Sequence, residues 1–331
     1  MNSPITGKPM AIHIKVQTLN FRKEEFAVKQ RFYLCDDSGE RFTSTHLDEL
    51  NISLVHNAFR AKHHILSPEE IKETREKYGL SALKMGEILG FGPNSYGLYE
   101  RGEIPNLSNS KLLKLASDPD SFFQLVNDWE IDNAKTKTKL LDKVKAKIGE
   151  ESETDFLEFY LIGNATLSDL TGYRKPNLER LKEMVVFFAH KVPSYKTKMN
   201  KLLFYADFLC FREFGVGISG ARYKAIPYGP VPDKFQTLFE NLAETDVIDI
   251  FYTPLDNGGR KEKLIGRDDR PFDSSLFTAQ EIDSLEKVVG RFIDISPSDL
   301  VEISHQEIGW LENESGKQFI SYEYALDLKA I

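Results

Sequence analysis

Between Ser67 and Gly102 the chain writes three short helices with their own start and stop signals, and few folds satisfy that punctuation. Ser67-Pro68-Glu69-Glu70 opens the first: Ser67 suits the N-cap, Pro68 the first helical position, and Glu70 closes a capping box. Ile71, Thr74 or Arg75, and Tyr78 continue it, and Gly79 ends it. Ser81 caps a second helix with Met85, Ile88 and Leu89 inward, and Gly90-Phe91-Gly92 turns the chain. Pro93 starts a third helix with Tyr96 and Tyr99 inward, ending at Arg101-Gly102. Leu112, Leu113 and Leu115 place a fourth helix, and Phe122, Phe123 and Val126 a fifth. Two short helices joined by a glycine-containing turn form the core of a helix-turn-helix. Gly86 falls where the second helix must let the third approach.

In such a fold the start of the third helix enters the major groove. That gives Asn94, Ser95, Lys84 and Arg101 as candidate DNA-contacting residues. Asparagine pairs bidentately with adenine, at roughly 1–3 kcal/mol of discrimination. Against this, Gly97 and Leu98 occupy the exposed positions where a reader would place Arg or Lys. Ser67–Glu130 carries 7 Lys+Arg against 11 Asp+Glu. Phosphate neutralisation supplies most of the affinity in such complexes, so weak operator binding is expected unless two chains pair. A homodimer is the expected state.

Around this motif the chain reads as α+β, mainly α. Residues 1–65 form a small β module: Ile12, Ile14 and Val16 alternate with His13, Lys15 and Gln17, a second strand passes Phe26, Val28 and Phe32, and a helix follows from about Thr45. Residues 66–130 are the five-helix domain. Residues 131–155 read as a linker helix, with six lysines between Ala134 and Ile148. Residues 156–331 form a large helical domain with short strands at Arg222–Ile226, Val247–Tyr252 and Glu262–Ile265. Cys35 and Cys210 are the only cysteines, so a reducing cytoplasm fits. No apolar run reaches the length of a bilayer span, and no secretory signal or membrane partner is expected. Gly215–Gly220 satisfies G-x-G-x-x-G but follows a helix, which is the wrong context for a dinucleotide; it reads as a mobile loop. His305 with Asp207 or Glu302 imitates an acid/base pair, but no nucleophile motif, phosphate loop or zinc-protease signature accompanies it. No catalytic residue, metal or cofactor is assigned, and the chain is read as a non-enzyme.

Two resemblances give these pieces a function. Residues 1–128 resemble MqsA-type antitoxins, in which a small zinc-binding β module precedes an Xre-type helix-turn-helix. The run from Leu54 to His63 leads into Leu66–Ile71 as that family's inter-module helix does, and Gly90–Gly102 matches its recognition segment. Asn94 falls on the family's base-contacting Asn, and Leu98 where the family has Arg. The family's two C-x-x-C pairs fall on Ser3/Thr6 and Cys35/Ser38, so only Cys35 keeps a ligand type and no metal is implied. From about Leu181 to Trp310 the chain resembles the Panacea domain, also described as SocA-like or GepA. The segments that carry this are Lys198–Asp207, Tyr228–Pro232 and Leu300–Glu307 with Trp310. That resemblance implies an antitoxin of a type II toxin-antitoxin system, neutralising a cognate protein toxin by direct binding. Tyr205, Asp207, Tyr228, Pro230, His305 and Trp310 are the candidate toxin-contacting residues, with operator DNA as a second partner through autoregulation. The alternatives are a transcriptional regulator with a C-terminal sensing domain, or a protease adaptor.

Overall fold

The chain enters as a long antiparallel hairpin in which β1 (Ala11–Phe21) and β2 (Glu24–Leu34) pair over their full length, Ala11 opposite Leu34 and Phe21 opposite Glu24. Its two turn residues, Arg22 and Lys23, both have positive φ, 50° and 69°. That matches the strand twist as primed hairpin turns do, here with no glycine or asparagine to announce it. A short β3 (Arg41–Phe42) extends the sheet. The helix α1 (Thr45–His63) buries Leu47, Leu50, Leu54, Val55 and Phe59, with Phe59 edge-on to Phe21 and Phe26. Asn51 fixes the helix to the sheet by accepting from the Arg31 amide and donating to its carbonyl, both at 2.9 Å. The computed structural model describes residues 1–131, 134–148, 153–163, 166–254 and 260–331.

The chain divides into two compact units, one formed by Met1–Phe59 with Glu158–Ile331, the other by Arg60–Leu157. The N-terminal sheet therefore shares a body with the C-terminal half. Asn57 donates to the Gly215 carbonyl at 3.1 Å, the Arg31 guanidinium donates to the Arg212 carbonyl, and Lys29 pairs with Asp327 at 3.3 Å.

The second unit holds α2 (Pro68–Lys77), α3 (Ala82–Ile88), α4 (Ser95–Glu100), α5 (Leu107–Ser117), α6 (Pro119–Asp128) and α7 (Ala134–Lys147). The capping box at Ser67 forms with both bonds, and Ser81, Asn106 and Asp118 cap α3, α5 and α6 through their side chains. Ile71, Tyr78, Met85, Ile88, Leu89, Tyr96, Tyr99, Leu113, Ala116, Phe122 and Val126 form one core, with Tyr78 stacked on Phe122 at 4.2 Å. Leu140 and Val144 of α7 are buried in that same core. The segment that reads as a linker thus supplies a sixth helix packed on α6; of residues 131–155, 132–133 and 149–152 lie outside the described residues.

The C-terminal half continues from α8 (Glu153–Ile162) through α9 (Leu178–Lys191), β4 (Ser194–Tyr195), α10 (Lys196–Phe214), β5 (Tyr223–Ile226) and β6 (Gly229–Pro232). There follow α11 (Phe235–Glu244), β7 (Ile248–Pro254), β8 (Arg260–Gly266), α12 (Ala279–Phe292), α13 (Pro297–Ser304), α14 (Ile308–Leu311) and β9 (Phe319–Ile320). Two small antiparallel sheets, ordered β4-β8-β7 and β6-β5-β9, flank the helices. The strand β6 contains Pro230 and Pro232, tolerated because it lies at a sheet edge. At the centre runs α10, buried without a break from Lys198 to Phe211, with α9, α12, α13, β6 and β8 against it. A helix with no solvent face must satisfy every polar side chain internally, and Lys198, Asn200, Lys201 and Asp207 all lie in that stretch. Among the described residues, no helix is long and apolar enough to cross a membrane. The fold is α+β and mainly helical.

Candidate functional site

In the second unit, α4 is held against α2 by polar bonds as well as core packing. The Tyr96 hydroxyl donates to the Ile71 carbonyl at 2.7 Å, and Arg75 bridges Glu100 at 2.5 Å while donating to the Leu80 carbonyl at 2.8 Å. A Cβ on Gly86 would meet the Tyr96 Cβ at 3.7 Å, so an alanine fits there and only larger side chains would push α3 from α4. Asn94 is the N-cap of α4 but makes no side-chain cap bond, and it is exposed. Ser95 is half-buried, and Leu98 lies on the exposed side. Arg101 is exposed and folds back along α4, its guanidinium 3.3 Å from where a Gly97 Cβ would stand, beside Ala82 at the start of α3. The absent side chain at Gly97 thus leaves a path for an arginine from one turn later. Lys84 pairs with Glu87 at 2.6 Å and lies 4.8 Å over the Trp129 ring. Asn94, Arg101 and Lys84 are therefore all presented by the α3–α4 pair.

In the C-terminal half, two of the predicted contact residues are fully buried, Tyr205 and Asp207. Neither reaches the surface, because α10 has no exposed side; both position other segments. The Tyr205 hydroxyl donates to Glu307 at 3.1 Å, and Glu307 also accepts from the Lys329 and Ala330 amides at 3.0 and 3.1 Å. The α13–α14 junction and the C-terminal tail are thereby tied to α10. Asp207 accepts four bonds: from the Ile218 and Ser219 amides at 2.6 and 2.8 Å, the Ser219 hydroxyl at 2.5 Å and the Tyr223 hydroxyl at 2.7 Å. Burial pushes its pKa up against the pull of those donors. The glycine-rich Gly215–Gly220 segment is consequently anchored rather than mobile. Arg174 also donates to its Gly217 carbonyl at 2.6 Å and Arg180 to Ile218 at 3.1 Å, while both arginines pair with buried Glu281.

The other four residues gather at the β5–β6 hairpin. Tyr228 stands at its tip and is 70% exposed. The Trp310 indole donates to the Ile226 carbonyl at 2.8 Å, and His305 stacks on Trp310 with ring centroids 3.9 Å apart and planes 12° from parallel. His305 makes no bond to Asp207 or Glu302 among the described residues, so the imitation of an acid/base pair does not form. Its Nε2 is buried and finds no hydrogen-bond partner among the described residues. Pro230 is buried, and its carbonyl accepts from the Lys201 ammonium nitrogen at 3.1 Å.

Lys201 carries the hairpin and was not singled out by sequence reasoning. It is fully buried, and burial pushes its pKa down to about 7. Gly229 has φ 90°, and a Cβ there would stand 2.4 Å from the Ser304 hydroxyl and 2.6 Å from the Lys201 Cε. Tyr228 is thus fixed by the close approach of Gly229 to α10 and α13. The available signal was a lysine inside an apolar helix, three residues after Lys198.

At the N-terminal sheet, Ser3, Thr6 and Cys35 come together. The Ser3 hydroxyl donates to the Cys35 sulfur at 3.1 Å, and the Thr6 hydroxyl lies 3.9 Å from it. Hydrogen bonds from Ser3 and Ser38 lower the thiol pKa to about 7. Among the described residues no group of three or more metal-ligating side chains exists.

A family model described as antitoxin SocA-like, Panacea domain, matches residues 199–311. That span is well under half of the chain, but it includes all six residues of α10, the hairpin and the α13–α14 segment discussed above. No curated protein matches the chain.

Proposed function

We propose that this chain is an antitoxin whose Met1–Phe59 and Glu158–Ile331 unit binds and occludes a cognate protein toxin. The observation that carries the reading is the coincidence of the Panacea match with a built surface: Tyr228 exposed on a pinned hairpin, beside the stacked His305 and Trp310. Aromatic side chains held rigidly at a surface are the usual anchors of protein interfaces. Neutralisation is steric and needs no chemistry from this chain. The test is coexpression of the full-length chain with the toxic reading frame beside its gene. Wild type should restore growth. Tyr228→Ala should leave the fold intact and weaken toxin binding by about 30-fold, the effect of an anchor worth roughly 2 kcal/mol. Failure of the wild-type chain to rescue any neighbouring toxin overturns the reading.

Promoter binding by the second unit is the accompanying role. It is supported by the free Asn94 side chain at the start of α4 and by Arg101 lying across Gly97, with Lys84 and Ser95 beside them and two chains paired on the operator. A gel shift on the upstream DNA at moderate salt, lost on Asn94→Ala, tests it.

A further inference from the structure

The helix-turn-helix residues alone are a poor match for DNA, because Ser67–Glu130 is acidic. The structure moves the domain boundary and with it the charge. Residues 131–148 add six lysines and two aspartates, which brings the two signs level and concentrates the positive charge on one helix. That helix is α7, whose Leu140 and Val144 are buried in the domain core. Its lysines are therefore held in fixed positions relative to α3 and α4.

Four contacts place α7 against the end of α6 and near the start of α3. At its start, Lys137 donates to the carbonyls of Asn127 and Trp129 at 2.6 and 2.9 Å. Trp129 in turn lies under the Lys84 ammonium. Lys84, Trp129 and Lys137 line one open groove of about 900 Å³ together with Glu87, Asp128 and Glu130, so the groove itself is not basic and the positive charge lies along α7. One helix length on, the Lys143 ammonium stands 3.6 Å from a Gly79 Cβ position, in the turn that precedes α3. So α7 runs along the N-terminal end of α3, and the Gly97–Arg101 face of α4 adjoins the same end through Ala82. Lys135, Lys139 and Lys143 are exposed and repeat every four residues along α7, Lys143 bordering the buried stripe of Leu140 and Val144. Lys135 and Lys139 have no acidic partner among the described residues; Asp142 is the one acid on the helix.

We propose that α7 is a DNA-contacting element of this domain, its Lys135, Lys139 and Lys143 row following the phosphate backbone that flanks the groove entered by α4. This rests on the promoter-binding reading above and supplies the electrostatic affinity which residues 67–130 lack. Phosphate contacts of this kind fix position and carry no sequence information. The effect belongs in the salt dependence of binding.

The test is fluorescence anisotropy of the full-length chain with a labelled mixed-sequence duplex of roughly 30 bp, titrated from about 50 to 200 mM salt. Each phosphate neutralised contributes about 0.9 to the slope of log K against log salt. The Lys135→Gln/Lys139→Gln/Lys143→Gln variant should lose about 2–3 units of slope, while the matching Lys→Arg variant keeps it. All three side chains are exposed, so thermal melting should be unchanged. A wild-type slope in the Gln variant, with binding still weakened by Arg101→Ala, overturns the role of α7 and leaves the promoter reading standing. An acidic protein as the true occupant of the row gives that same overturning slope. Absence of any DNA binding by the wild type at the lowest salt overturns both.

Discussion

Lys201 makes the most quantitative demand on the fold. Its ammonium is buried under the β5–β6 hairpin with the Pro230 carbonyl as acceptor at 3.1 Å, and its pKa stands at about 7 against 10.5 for a free lysine. Burial is the cause, because taking an ammonium from water without a counter-ion disfavours the charged form. Between those two values the unfolded chain holds one proton more than the folded one. Stability must therefore rise with pH through that window, by about 1.4 kcal/mol per pH unit where the difference is complete. Below pH 7 both states are protonated and the full cost of the buried charge is present; above pH 10.5 both are neutral and it is gone. Lys201→Met keeps the length of the side chain and removes the charge. Wild type should gain about 2–3 kcal/mol relative to this variant between roughly pH 7.5 and 9.5, on the order of 5–10 °C in melting temperature for a body of this size. Urea denaturation of both proteins across that range is the assay, and the difference between them removes every other titrating group. A difference independent of pH would refute the claim that the fold holds this lysine neutral.

Three further outcomes follow from the same region and from the N-terminal sheet. Asp207→Asn should destabilise the chain by about 2–4 kcal/mol, since the oxygen that accepts from the Ser219 and Tyr223 hydroxyls becomes an NH2 while the Ile218 and Ser219 amides keep only an uncharged acceptor; urea denaturation gives the magnitude and faster amide exchange at 218–219 the location. Gly229→Ala should lower stability by roughly 2–4 kcal/mol, measured by thermal melting, because its Cβ collides with Ser304 and Lys201 at a positive φ. Ser3→Ala should move the Cys35 thiol upward from about 7, read from thiolate absorbance against pH. Burial pushes the Cys210 thiol in the opposite direction, so the neutral-pH signal belongs to Cys35.

The legible parts of this chain are those where local chemistry decides the structure. Ser67-Pro68-Glu69-Glu70 forms its capping box as written, and Ser81 caps α3 where the sequence marks it. The β1–β2 turn was not legible, because Arg22 and Lys23 take a glycine-like conformation that only strand pairing over the full hairpin imposes. Nor was β6, where Pro230 and Pro232 argue against a strand except at an edge, and the edge is a tertiary fact. The same limit applies to the candidate site. Tyr228, His305 and Trp310 are aromatic residues in the matching segments, and they gather at one hairpin. Tyr205 and Asp207 stand in a matching segment too, yet lie in a helix buried on every side. Periodicity gives one apolar stripe per helix, and nothing in it announces a helix packed on every side.

The helix α7 shows why this distinction matters for function. Six lysines with one apolar stripe read as a solvated tether, since the stripe is narrow and the charges dominate composition. Yet Leu140 and Val144, four apart, seat the helix in the core with Leu141 packed beside them, and lysine stems shield the edges of such a contact while their ammonium groups stay in water. A charge count that stops at residue 130 describes an acidic domain with little affinity for DNA. Continued through the helix that completes its core, the same count is balanced, with the excess of positive charge on the element beside α3. How much positive charge this domain could bring to the proposed DNA contact thus turns on where its hydrophobic core ends, which the burial of Leu140 and Val144 marks and composition alone does not.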